Sequence, residues 1–127
     1  MKKISYILGL VVVLLACAGN AKSFTSLTNE QFLELLNDSS IQLLDVRTQG
    51  EFDEAHISQA MLIDLGDSLF AEKAVDALDK DRPVAVYCRT GKRSKKASAI
   101  LVEKGFKVYE LDGGITSWTE NNFPLEK

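Results

Sequence analysis

The chain has 127 residues, of which 46% are hydrophobic and 26% charged, with only two prolines. That balance suits one folded domain and argues against a disordered chain, a Pro-rich linker protein or a second domain. The formal charge is −3 and becomes −5 without residues 1–21, which hold two lysines and no acid, so a general attraction for nucleic acid is excluded.

Lys2 and Lys3 precede an apolar run from Ile4 to Ala16, broken at Ser5 and Gly9, with small residues at Ala16, Cys17, Ala18, Gly19 and Ala21. A short positive region, an apolar run too short to span a bilayer comfortably and a small-residue end form the layout of a secretory signal peptide. The domain is therefore expected in the periplasm or cell envelope. Two processing routes fit. Gly19-Asn20-Ala21 suits an ordinary signal peptidase and gives a signal of 1–21. Leu14-Leu15-Ala16-Cys17 resembles a bacterial lipobox, giving a signal of 1–16 and a lipid anchor on Cys17, the one expected contact with a membrane. By either route the folded domain, expected over 24–127, keeps one thiol, Cys88. In an oxidising compartment, an unpaired cysteine points to a reactive thiol or an intermolecular partner.

Phe24–Ser26 is a candidate edge strand. Thr28 with Gln31 three residues later fits a capping box, and Phe32, Leu33, Leu35 and Leu36 supply the apolar face of a short helix. Ile41–Leu44 reads as a strand ending at Asp45, Thr48–Ala55 as a short helix or turn, and Ala60–Ile63 as a second strand. Leu69, Phe70, Lys73, Ala74, Ala77 and Leu78 follow helical spacing. Pro83–Tyr87 is apolar throughout, as a central strand covered on both faces requires. A polar loop from Cys88 to Arg93 leads into a helix expected over Ser94–Lys104, with Gly105 at its C-cap. Lys107–Leu111 is a fourth strand and Ile115–Asn121 a last helix carrying Trp118. Strands alternating with helices imply an α/β fold with a mainly parallel sheet, whose ligand site lies beyond the carboxyl ends of the strands. Cys88 follows a central strand directly.

The segment Cys88-Arg89-Thr90-Gly91-Lys92-Arg93-Ser94 is where the chemistry concentrates. A thiolate, rather than a thiol, is the nucleophile. Arg89, Lys92 and Arg93, together with the start of a helix, stabilise negative charge on sulfur. A tight loop also turns successive backbone N–H groups inward as an anion nest, and Gly91 supplies the positive φ such a curl needs. The same cations suit an anionic substrate, since arginine grips two oxygens at once. An isolated basic triplet is more simply a solvated loop; a cysteine at a strand's carboxyl end, with a glycine between, favours function.

This segment resembles the active-site loop of the rhodanese family. Leu44-Asp45-Val46-Arg47, followed by Glu51-Phe52, Ala55-His56-Ile57 and Ala60, is similar to that family's first signature. Asp112-Gly113-Gly114-Ile115-Thr116-Ser117-Trp118 is similar to its C-terminal glycine-glycine-tryptophan segment. Together the motifs span Leu44 to Trp118. Ala55 and Gln59 depart from the pattern by replacing glycines, which implies a different turn there. The resemblance implies a rhodanese-like three-layer sandwich and a ping-pong sulfur transfer. Cys88 takes a sulfane sulfur from a small thiosulfate-like anion and passes it to a thiol or cyanide-type acceptor. It places Arg89, Thr90, Gly91, Lys92, Arg93 and Ser94 around the substrate. Asp45 and Arg47, which end a strand near this loop, are candidates for supporting it. The resemblance calls for no metal and no cofactor, and a monomer is the expected state.

His56 is the one histidine, and a low-pKa thiolate needs no base, so a structural role is favoured. Asp45 with Arg47 reads as an ion pair and Trp118 as core packing. Two other readings stay open. A rhodanese fold can carry sulfur or dock a partner without turnover. A cysteine phosphatase or arsenate reductase also uses a thiolate before a helix, but needs an arginine six residues after the cysteine, where Ser94 stands here.

Overall fold

The structure is a computed structural model and describes residues 23–127. The signal segment and Cys17, on which the two processing routes turn, lie outside the described residues. Among the described residues, no helix is long and apolar enough to cross a membrane.

The elements in chain order are β1 Thr25–Leu27, α1 Asn29–Leu36, β2 Gln42–Asp45, α2 Gln49–Glu54 and β3 Met61–Leu62. They continue with α3 Phe70–Ala77, β4 Val84–Tyr87, α4 Lys92–Glu103, β5 Val108–Leu111 and α5 Gly114–Glu120. The strands form one sheet in the order β1-β5-β4-β2-β3, and every pairing between them is parallel. β4 is thus central, with Asp45 opposite Tyr87 on one side and Glu110 opposite Val86 on the other.

Alternation along β4 divides the core between two faces. Val84 and Val86 pack with Leu44, Ala74, Ala97 and Leu101 beneath α3 and α4. Ala85 and Tyr87 pack with Phe32, Ile115 and Trp118 beneath α1 and α5. Helices on both faces of a parallel sheet make the three-layer sandwich that the motifs imply. All four residues of β4 are buried, which accounts for its unbroken apolar sequence.

Local chemistry fixes the helix starts. Thr28 and Gln31 close the expected capping box on α1, and Thr48 and Glu51 close a second one on α2. α4 begins at Lys92 instead of Ser94. Its first turn is basic and polar, so it carries no apolar periodicity, although lysine and arginine are good helix formers. Gly105 has φ 98° just beyond α4, as a helix end requires. The departures at 55–59 are resolved unequally. Ala55 is extended, whereas Gln59 takes φ 70°, a conformation that glycine enters without steric cost.

Candidate active site

Cys88 is the first residue past β4 and is 1% exposed. Among the described residues it is a free thiol. The chain turns at Gly91, whose φ of 106° lets its backbone N–H donate to Cys88 Sγ at 3.1 Å. Ser94, in the first turn of α4, brings its hydroxyl within 3.5 Å of the same sulfur. The sulfur therefore sits against the backbone of a left-handed turn and the start of a twelve-residue helix, both of which favour negative charge.

The loop is clamped from the C-terminal side. Ile115 N–H donates to the Cys88 carbonyl at 2.9 Å, and Thr116 N–H donates to the Arg89 carbonyl at 3.0 Å. This contact has no room for a side chain at Gly114: a Cβ there would lie 2.3 Å from the Arg89 carbonyl oxygen. A Cβ on Gly91 would lie 2.2 Å from the Asp112 carbonyl oxygen. Gly91 and Gly114 thus let one backbone press against another and hold the cysteine loop in shape.

The three basic residues singled out in the loop have different surroundings. Arg93 is engaged by Glu51, its two terminal nitrogens donating to the carboxylate oxygens at 2.8 and 2.9 Å. Arg89 reaches the same carboxylate at 3.3 Å, with its side chain 64% exposed. Lys92 and Thr90 are exposed. The bonds from Arg93 hold the Glu51 carboxyl well below the usual carboxylate range; partial burial opposes this, and the Thr48 backbone N–H adds to it. The same pairing raises the Arg93 pKa. Glu51 also accepts from Thr48 N–H at 3.1 Å, so the residue that caps α2 anchors the cysteine loop's arginine as well.

Asp45 and Arg47 form a buried ion pair at the end of β2, with Nη2 to Oδ2 at 2.7 Å. Arg47 also donates to the Ala55 carbonyl at 2.8 Å and lies over the Tyr87 ring, 5.5 Å from its centroid. Burial, followed by the Asp45 charge, pushes the Tyr87 hydroxyl far above its ordinary pKa; it therefore stays protonated, accepting from Ile57 N–H at 3.0 Å. A cleft of about 350 Å³ beside the loop is lined by Arg47, Glu51, Arg89 and Thr116. His56 stacks on Phe52, centroids 3.9 Å apart, and its Nδ1 lies 2.9 Å from the Phe52 carbonyl. Trp118 is fully buried and donates to the Pro124 carbonyl at 2.8 Å.

Two acids that the sequence reading did not single out as site residues belong here. Glu51 was legible only as part of a motif, although its place three residues after Thr48 marked it as a cap. Glu110 lies in β5, fully buried, and accepts from the Ser94 hydroxyl at 2.6 Å. Its signal was an acid inside an apolar strand, at the position two after Val108 and so on the same face.

A buried cysteine at the carboxyl end of a central parallel strand, wrapped by a turn that leads into a helix, defines an α/β domain with a thiol in its strand-end loop. The chain belongs to the rhodanese-like domain family, whose model matches residues 28–121. It is similar to thiosulfate sulfurtransferase GlpE of Shewanella oneidensis, 36% identical over 101 residues that cover 79% of this chain and 97% of that protein. It is also similar to the tRNA uridine(34) hydroxylase of Pelagibacter ubique, 31% identical over 108 residues that cover 84% of this chain but 36% of that protein. Among solved structures, a rhodanese-related protein from Thermoplasma volcanium superposes with a TM-score of 0.72 at 27% identity, covering 81% of this chain and 98% of that one.

Proposed function

We propose that the protein is a sulfurtransferase in which Cys88 carries a sulfane sulfur as a persulfide. The thiolate attacks the outer sulfur of thiosulfate or a similar donor. A bond forms between Sγ and that sulfur, the donor's S–S bond breaks, and sulfite leaves with the electron pair. A thiol or cyanide-type acceptor then attacks the outer sulfur, and Cys88 departs as the thiolate. Splitting the transfer around a covalent intermediate replaces one difficult step with two easier ones.

The observation that carries this reading is the Gly91 N–H on Cys88 Sγ at 3.1 Å, at the start of α4. It supplies a fixed donor to the sulfur in both the thiolate and the sulfur-bearing state. Thr90, Gly91 and Ser94 form the wall around the transferred atom. Arg89 and Lys92 are the exposed cations that meet the donor's sulfonate oxygens, while Arg93, engaged by Glu51, shapes the loop and contributes charge at its edge. Asp45 and Arg47 support the neighbouring strand end. Residues 1–21, or 1–16 with a lipid on Cys17, direct this domain at 24–127 to the cell envelope, where it works as a monomer.

Intact mass spectrometry before and after thiosulfate tests the reading, with Cys88→Ser as control. The wild type gains the mass of one sulfur atom, a thiol removes it, and the variant gains none. No adduct on a demonstrably reduced Cys88 would overturn thiosulfate transfer and turn attention to a partner-dependent carrier or an oxyanion-handling enzyme. The starting mass, taken from membrane and soluble fractions, reads the N-terminal processing.

A further inference from the structure

The Ser94 hydroxyl is a crossroads. It lies 3.5 Å from Cys88 Sγ, 3.0 Å from the Gly91 carbonyl and 2.6 Å from Glu110 Oε2. The Cys88 thiol donates to this hydroxyl; once Cys88 is ionised, Sγ becomes an acceptor like the other two, and the three compete for the one proton the hydroxyl has to donate. Glu110 is fully buried, accepts from Ser26 Oγ at 2.6 Å, and lies 3.3 Å from Lys95 Nζ. The transfer chemistry itself makes no use of this acid, yet only one hydroxyl separates it from the sulfur.

We propose that Glu110 is a positioning residue that holds the Ser94 proton away from Cys88 Sγ and so favours the sulfur-loaded site over the free thiolate. The inference rests on the persulfide reading above. In the free thiolate, Sγ bears the charge and gains most from the Ser94 O–H. Glu110 competes for that proton and adds a like charge on the far side of the hydroxyl. In the persulfide, the negative charge moves to the outer sulfur and Sγ is neutral. The Ser94 O–H then remains on Glu110 with nothing lost. Loading therefore relieves an opposition that unloading restores.

The other charges near this axis leave the competition in place. Lys95 faces Glu110 and is shared with Asp112, which it meets at 2.9 Å. Burial opposes the Lys95 ammonium, but Asp112 and Glu110 raise its pKa above the usual value, so it stays charged. On the sulfur's side stand Arg93, with Glu51 and Asp64 acting on it, and the exposed Arg89 and Lys92. β1 contributes the Ser26 hydroxyl, which does not titrate in this range.

The test is Glu110→Gln in the full-length protein, with circular dichroism to establish folding and Glu110→Met, an apolar residue of similar length, should the amide not fold. The rate of Cys88 alkylation by iodoacetamide, followed against pH, should reach its half-maximal value about one unit lower than in wild type, a gain in thiolate of about tenfold at a pH well below both midpoints. The sulfite concentration that strips half the persulfide should fall several-fold. A structural role alone would move neither reading, and two unmoved curves in a folded variant overturn the proposal. In a Ser94→Ala background the Glu110→Gln shift should shrink to a minor fraction. A shift of undiminished size there also overturns it, because Glu110 would then act through space. Wild type that takes no sulfur from thiosulfate, with the alkylation shift still present in Glu110→Gln, overturns thiosulfate transfer and leaves the competition for the Ser94 proton standing.

Discussion

Replacing Gly114 by alanine probes the clamp that shapes the cysteine loop without touching the sulfur. The new Cβ would lie 2.3 Å from the Arg89 carbonyl oxygen, 2.5 Å from its carbon and 2.7 Å from Thr90 N. A carbon–oxygen contact relaxes at about 3.3 Å or beyond, so the two backbones must part by roughly 1 Å. All three contacts are to backbone, and no flexible side chain can absorb that movement. Two hydrogen bonds cross the same seam, from Ile115 to Cys88 and from Thr116 to Arg89. Losing or bending both costs about 2 kcal/mol, and the φ of 65° at Gly114 adds about 1 kcal/mol for a residue with a Cβ. A loss of about 3 kcal/mol lowers the melting temperature of a domain this size by about 15 °C.

The loss of activity should exceed the loss of stability. Moving Arg89 and Thr90 by about 1 Å also moves Gly91, whose N–H faces the sulfur, and displacements of that size cost about 100-fold in rate. The assay is thiosulfate-to-cyanide transfer at a temperature where urea titration finds the variant fully folded. Gly50→Ala is the control: it lies in α2 with nothing within 4 Å of its Cβ, and should stabilise by about 0.5–1 kcal/mol. A Gly114→Ala protein within threefold of wild-type activity and about 0.5 kcal/mol of its stability would refute the close-approach reasoning.

Three further outcomes follow from the same contacts. Glu51 is held below its unfolded pKa of about 4.3, so its stabilisation is full above that value and is lost as pH falls toward the folded one. The stability advantage of wild type over Glu51→Gln, read by urea titration, should therefore narrow by about 1 kcal/mol between about pH 6 and pH 3. Asp45→Asn strips the partner from Arg47, itself 4% exposed, and should destabilise by about 3–5 kcal/mol in the same titration. Gln59→Gly relieves the φ of 70° on an exposed turn and should stabilise by about 0.5 kcal/mol, visible as a melting-temperature rise of a few degrees.

Most of the fold was legible because each element announces itself locally. Thr28 with Gln31 marks a helix start, Pro83–Tyr87 is apolar from end to end, and Gly105 closes α4. The α4 start was misplaced by two residues because Lys92 and Arg93 face solvent or an acid from the preceding layer, and such residues carry no periodic signal. The place of Cys88 was legible from the alternation of strands and helices alone, since that pattern puts the end of a central strand at the ligand site. The seam between Gly114 and Arg89 was not, because it joins residues distant in sequence through backbone atoms that no side-chain pattern encodes.

Charge was the least legible property, for a reason that bears on the chemistry. Counted along the chain, Arg89, Lys92 and Arg93 form a triplet of equivalent cations beside one sulfur. In space, Glu51 from α2 takes both terminal nitrogens of Arg93, and Glu110 from β5 takes the hydroxyl that would otherwise turn to Cys88. Each acid engages one apparent stabiliser of the thiolate. The donor that remains fixed on the sulfur is the Gly91 N–H, which carries no net charge. In the sulfur transfer proposed above, a site that holds sulfur and then releases it gains from that division. Too much cationic stabilisation of the thiolate would leave it a stable leaving group but a reluctant nucleophile, since nucleophilicity falls with basicity. Backbone and helix end supply a constant field, and the two acids, neither apparent from counting charges in the loop, engage two of the groups that would otherwise add to it.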